Sequence, residues 1–146
     1  MLGTDELTVI ARGADTGGAL FAVEMRMPPG GGPPVMHRHA PGEIYYVQEG
    51  QFVFYVGHPE ESVRRITASA GEIVPLVGGT PHTIRNETDA DARAFVVHAP
   101  AAVMENFSYA AADLAANGTA DMAAVLELAS RSGVDLLGPV PENVEN

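Results

Sequence analysis

The chain has 146 residues, 46% of them hydrophobic and 18% charged, the balance of one globular domain with its own core and not of a disordered segment. Its formal net charge is −11 and all eight basic residues are arginine, so it repels phosphate backbones, which argues against nucleic acid as a partner, and it has no lysine for Schiff-base chemistry. Cysteine is absent, which excludes disulfides, thiolate metal sites and a cysteine nucleophile.

Gly3-Thr4-Asp5-Glu6 lacks the basic-then-apolar pattern of a signal peptide, and no apolar run reaches the roughly 18–20 residues of a membrane span. The expectation is a cytoplasmic protein with no membrane partner. Sixteen glycines and eleven prolines imply many turns and short strands. Leu20 to Met27 alternates, with Phe21, Val23, Met25 and Met27 on one face and Glu24 and Arg26 on the other, as in a half-buried strand. Pro28 to Pro34 is a loop. Val35 to His39 is extended, Ile44 to Gln48 is a strand, Glu49-Gly50 is a turn, and Gln51 to Val56 returns, so the pair reads as a hairpin. A polar turn containing His58, expected to be solvated, leads to strands at Val63 to Ala68, where Arg64-Arg65 reads as surface charge, and Glu72 to Val77. Gly78-Gly79 breaks the chain before His82 to Asn86 and a final strand, Ala92 to His98. Many short strands without an intervening helix predict an antiparallel barrel or sandwich.

After Pro100 the pattern changes. Met104, Phe107, Ala111 and Leu114 recur at helical spacing within Ala101 to Ala116, and Asn117-Gly118 ends that helix. Thr119 is the expected N-cap of a second helix, Ala120 to Arg131, and Val134 to Leu137 is a short apolar tail. The expected organisation is a single domain over 1–146, with a barrel core at about 8–100 and a helical extension at about 101–137. The extension packs on the barrel, where the face carrying Met104, Phe107 and Leu114 stands near its mouth.

The chemistry concentrates in His37, His39, Glu43 and His82. Residues two apart on a strand share a face, so His37 and His39 project together while Arg38 points away. Glu43, just before the next strand, reaches the same point, and His82 must arrive from another strand. One buried histidine is more often a hydrogen-bonded core residue than a ligand, but three imidazoles and a carboxylate in two spaced segments form a donor set for a divalent metal. All four donors are N or O, which suits Fe, Mn, Ni, Co, Zn or Cu(II) and not Cu(I) or an iron–sulfur cluster. Glu43 has two roles open to it, fourth ligand or general base kept ionised beside a cation. Tyr45, Phe52, Phe54 and Phe95 read as mostly core. Tyr45, Phe54 and Phe95, with His98, are the candidates to line a substrate pocket, although a structural role for His98 is the simpler reading. Asn86 reads as a hydrogen-bonding residue of a turn or of the barrel wall.

Gly31, His37, His39, Glu43 and Gly50 resemble the first cupin motif, and Gly71, Gly79, His82 and Asn86 the second. The chain departs from the second motif at Val77, where cupins usually carry proline; Pro75 lies two residues earlier. The resemblance covers about Leu20 to His98. It implies an all-β, antiparallel jelly-roll barrel with the metal inside and a short C-terminal helical extension, often as a homodimer. Among cupins the chain is similar to small quercetinase-like proteins, whose extension also ends near a Gly-Pro, here Gly138-Pro139. That likeness implies a dioxygenase acting on a small apolar enol or phenol, with dioxygen as co-substrate and Glu43 accepting the substrate proton. Two alternatives stay open: a non-oxidative cyclase, isomerase or dehydratase of a small carbonyl compound, and a non-catalytic cupin that binds a metal or ligand.

Overall fold

The alternating segments become strands of two facing sheets in the structure, a computed structural model that describes residues 5–57, 62–118, 121–142 and 144–145. The first sheet runs β1 (Glu6–Ala11), β2 (Phe21–Met27), β9 (Ala92–Ala99), β4 (Gly42–Glu49), β7 (Ile73–Leu76). The second runs β10 (Val134–Gly138), β3 (Met36–His39), β8 (His82–Arg85), β5 (Gln51–Gly57), β6 (Val63–Ser69), β11 (Val144–Glu145). All pairings are antiparallel except the short β11–β6 contact, which is parallel. This is the jelly roll that the sequence implies. β7 is an edge strand, which accommodates Pro75 without losing a ladder hydrogen bond on both sides.

Period-two alternation fills the space between the sheets. Phe21, Val23, Met25 and Met27 of β2, Tyr45 and Val47 of β4, and Ala92, Ala94 and Val96 of β9 face Phe52 and Phe54 of β5 and Ile84 of β8. Phe21, Phe52 and Phe54 are fully buried, and each such ring stabilises the fold by roughly 1.5–3 kcal/mol through removal from water. Asn86 satisfies the barrel wall. Its amide donates to the carbonyls of Met27 and Ala90 at 2.9 and 2.7 Å and its oxygen accepts from the Thr88 N–H and hydroxyl.

The structure corrects the expected hairpin. β4 pairs with β7 and β9, whereas β5 pairs with β6 and β8. Gly50 carries the chain from one sheet to the other at φ 74°, where a Cβ would meet the Asp91 carbonyl at 2.7 Å. The alternation of β4 and β5 points both apolar faces into the same core, so the pattern alone does not distinguish a hairpin from a crossing between sheets. β1 and β10 are strands that the sequence reading leaves unassigned.

Two helices follow β9: α1 (Ala102–Ala116) and α2 (Met122–Ser132). α1 has no side-chain N-cap. It is tethered instead by Glu105, which accepts from the Gly13 N–H at 3.0 Å, and by the Ala101 N–H, which donates to Gly18 at 3.2 Å. α2 starts at Asp121, whose carboxylate accepts from the Ala124 N–H at 2.8 Å. Thr119, the expected cap, lies outside the described residues, as does His58. Gly133 ends α2 in the left-handed conformation and turns the chain directly into β10.

Phe54→Ala is expected to lower unfolding stability by about 3–5 kcal/mol, measured by urea denaturation, with the far-UV spectrum unchanged. A loss below about 1 kcal/mol would contradict the packing described here.

Candidate metal centre

The centre forms where the two sheets face each other. In the second sheet His37 and His82 are direct cross-strand partners of β3 and β8, and their rings lie 4.3 Å apart. His39, two residues along β3, shares their face, and its ring is 5.1 Å from that of His82. Arg38 points to solvent and pairs with Asp135 at 3.2 Å. The first sheet supplies the opposing carboxylate, because β4 begins at Gly42 and Glu43 is therefore an inward strand residue and not a loop residue. His98 of β9 is the cross-strand partner of Glu43.

One ligand nitrogen from each of His37, His39 and His82 lies within 4.8 Å of the others. Donors bound to one ion at about 2.1 Å lie roughly 3–4.2 Å apart, so the three nitrogens stand near the spacing that a common cation needs. Glu43 approaches from the other sheet, with Oε1 2.7 Å from His39 Nε2 and Oε2 3.5 Å from His82 Nε2. His98 Nε2 lies 3.5 Å from Glu43 Oε1. Despite this proximity, His39 Nε2, His82 Nε2 and Glu43 Oε2 are buried without an aligned hydrogen-bond partner among the described residues. The Nδ1 atoms are used elsewhere: that of His39 bonds the Pro41 carbonyl at 3.0 Å, that of His82 the Thr80 carbonyl at 2.8 Å, and that of His98 the Phe21 carbonyl at 3.2 Å. A carbonyl only accepts, so each Nδ1 carries the proton and each neutral ring turns an Nε2 lone pair inward.

Electrostatics favour the same arrangement. Burial opposes the charge on Glu43, but His39, His82 and His98 outweigh it and hold the carboxyl well below its ordinary range. Burial, together with repulsion from His82, takes His37 down to about 3, so its ring is neutral. Burial also works against a proton on His82, yet Glu43 beside it raises the pKa above the usual value. An anionic carboxylate enclosed without a matching cation thus draws positive charge toward His82, and a divalent ion satisfies the same demand. Buried lone pairs aimed at one region and an all-N/O donor set fit a divalent transition metal.

Above this cluster opens a cavity of about 330 Å³. Its floor includes His37, Glu43, Tyr45 and His98; apolar side chains such as Val23, Met25, Ile84 and Val96 form the walls. Met104, Phe107, Ser108, Ala111 and Ala115, one face of α1, form the roof with Met122 and Val125 of α2. The extension therefore lines the pocket in addition to packing on the barrel. Val134 and Leu136 of β10 also line the cavity, because β10 pairs beside β3 with Val134 opposite His39 and Leu136 opposite His37.

Of the residues expected in the pocket, Tyr45 and His98 line it and Phe54 and Phe95 do not. Phe54 belongs to the core, edge-on to Tyr45 at 5.1 Å. Phe95 faces outward opposite Tyr46 and Glu24. Strand parity explains this: with His98 inward, residues 96, 94 and 92 follow it, and Phe95, three positions away, takes the other face. The sequence reading also missed Asp5. This carboxylate lines the cavity, is 7% exposed, and leaves Oδ1 without a hydrogen-bond partner among the described residues.

His82→Ala is expected to reduce bound metal at least tenfold, measured by elemental analysis after dialysis, while circular dichroism reports an intact fold. Full metal loading of the variant would contradict the centre described here.

Residues 23–98, more than half of the chain, match the profile of the Cupin domain family. No curated protein matches the chain in sequence. Among solved structures it is similar to TT1209 from Thermus thermophilus, with 22% identity over 67% of this chain and 85% of that one at a TM-score of 0.56. It is similar to a predicted oxalate decarboxylase from Thermotoga maritima, with 23% identity over 66% and 80% of the two chains at a TM-score of 0.56. A third is the polyketide cyclase RemF from Streptomyces resistomycificus, with 22% identity over 66% of each chain at a TM-score of 0.57. At these identities the likenesses bear on fold alone. The family match, the jelly roll and the convergent histidines lead to one assignment: the chain belongs to the cupin superfamily.

Proposed function

We propose that this cupin is a metal-dependent enzyme that removes a proton from a small, mostly apolar enol or phenol, and that it does so as a dioxygenase. The observation that carries this reading is a partnerless carboxylate oxygen, Glu43 Oε2, beside three convergent imidazoles on the floor of an apolar cavity. A divalent ion held by His37, His39 and His82 would supply Lewis acidity toward a substrate oxygen. Glu43 is held ionised, and Oε2 is free to take the hydroxyl proton. Tyr45, pushed well above its ordinary pKa by burial and by Glu43, stays protonated beside it and supplies a neutral wall. Burial lowers the pKa of His98, so its ring meets Glu43 as a neutral group. The apolar walls and helical roof exclude water from the electron-rich enolate carbon, which is open to dioxygen.

A second reading uses the same base and cavity without oxygen, for cyclisation or isomerisation of a small carbonyl compound. One structural relative is a polyketide cyclase, and a largely apolar pocket suits a folded chain substrate. Oxygen uptake separates the two readings. Anaerobically purified, metal-loaded protein is assayed in an oxygen electrode against flavonols, catechols and 1,3-diketones. The dioxygenase reading expects uptake with at least one of them, lowered about 10²–10⁴-fold in Glu43→Gln with metal content within twofold of wild type. Substrate loss without oxygen uptake would move the assignment to the second reading, and parallel loss of metal and activity in Glu43→Gln would make Glu43 a ligand.

We also infer a homodimer. The outward face of the first sheet joins Ile44, Tyr46, Ile73, Phe95 and Val97 as cross-strand neighbours, with Ile44, Tyr46 and Ile73 at 48%, 42% and 60% exposure, a contiguous apolar surface of the kind that pairs with a copy of itself. Tyr46→Arg is expected to shift the mass measured by light scattering from dimer to monomer, and an unchanged mass would count against this face.

A further inference from the structure

Asp5 is a carboxylate of the cavity that neither the metal centre nor the proton transfer uses. It precedes β1, whose Glu6 pairs with Arg26 near the end of β2, while His98 pairs with Phe21 at the start of that strand. The carboxylate therefore stands toward the end of the cavity away from the histidines. One side is accounted for by the Gly32 backbone N–H. Oδ1 is buried and has no partner among the described residues. Gly31 makes room for it: a Cβ there would lie 2.6 Å from Asp5 Oδ1 and 2.7 Å from Met27 Cγ. Enclosing a carboxylate in an apolar wall is unfavourable, and burial pushes this one up to about 6 against the opposing Gly32 hydrogen bond. Such a group is retained at a net cost to the fold unless something else donates a hydrogen bond to it.

We propose that Asp5 is a second polar anchor for substrate, with Oδ1 accepting a hydrogen bond from a hydroxyl or N–H on the end of an apolar molecule remote from the metal. This rests on the reading of the cavity as the substrate pocket. It narrows the substrate class to elongated, mostly apolar molecules with two polar ends: an oxygen for the His37–His39–His82 centre and a hydrogen-bond donor for Asp5. A site built around an acceptor discriminates against analogues that lack the donor, because the buried oxygen is then left unpaired.

The test uses the zinc-loaded protein, since zinc has no redox chemistry, with 4-hydroxybiphenyl and 4-methylbiphenyl as probes of nearly equal size. Calorimetric titration is expected to give the hydroxyl compound about a tenfold preference in wild type, from one charge-assisted hydrogen bond. Asp5→Leu should abolish that preference while holding 4-methylbiphenyl at least as tightly. Asp5→Asn, which keeps an acceptor for the Gly32 N–H and so guards against misfolding of the leucine variant, should reduce the preference below about threefold. Absence of the preference in wild type, failure of both probes to bind, or its persistence in both folded variants would overturn the proposal. Binding of 3-hydroxyflavone to the same protein probes the enol reading separately. Flavone binding without an Asp5-dependent preference removes the anchor and keeps that reading; an Asp5-dependent preference without flavone binding does the reverse.

Discussion

The carboxylate of Glu43, buried between two sheets and facing imidazoles from both, is the group that the rest of the structure serves. An ion of this kind costs several kcal/mol to bury unless opposite charge or hydrogen bonds compensate it. Here His39 Nε2 stands 2.7 Å from the carboxylate and the Nε2 atoms of His82 and His98 3.5 Å each, and a proton on one of these rings or a cation held among them would supply the opposite charge. Those rings in turn are fixed by backbone carbonyls on their outer nitrogens, which sets the tautomer and aims the inner lone pairs. Strand register is therefore the source of the chemistry: a one-residue slip of β3 against β8 would turn His37 and His39 to the outer face.

A polar floor has consequences for everything above it. In an open cleft, water would screen the Glu43–histidine interactions; here Glu43, His39, His82 and His98 are buried, which weakens that screening. The helices above this floor give the pocket a largely apolar lining in which polar groups stand only at defined points. The C-terminal strand β10 ties the two functions together. It extends the sheet next to the strand of His37 and His39 and also places Val134 and Leu136 in the cavity wall, so the chain after residue 100 is as much a part of the centre as the barrel.

Much of this was legible before the fold was known. The His-x-His spacing gives a shared strand face directly, and Met104, Phe107 and Ala111 give the inner face of α1, because both follow from local periodicity. The convergence of His82 was legible only through its second motif, since long-range pairing leaves no local trace. The hairpin misassignment has a definite cause: in a jelly roll two consecutive strands enter different sheets yet point their apolar sides at one core. Phe95 takes the outer face because strand parity, set by the inward His98, puts it there. β10 has an apolar run too short to separate from a tail, and Asp5 resembled any acidic residue in a polar leader. Their roles arise from contacts with residues about 30 to 100 positions away.

The central claim is that His37, His39 and His82 hold one cation in the space that Glu43 Oε2 faces. Anomalous diffraction at the absorption edge of the bound metal, recorded from crystals of the metal-loaded protein, tests it most directly. The account predicts a single strong anomalous peak within about 2.0–2.3 Å of a nitrogen from each of the three histidines. A peak elsewhere, or one bonded to fewer than two of these rings, would contradict it.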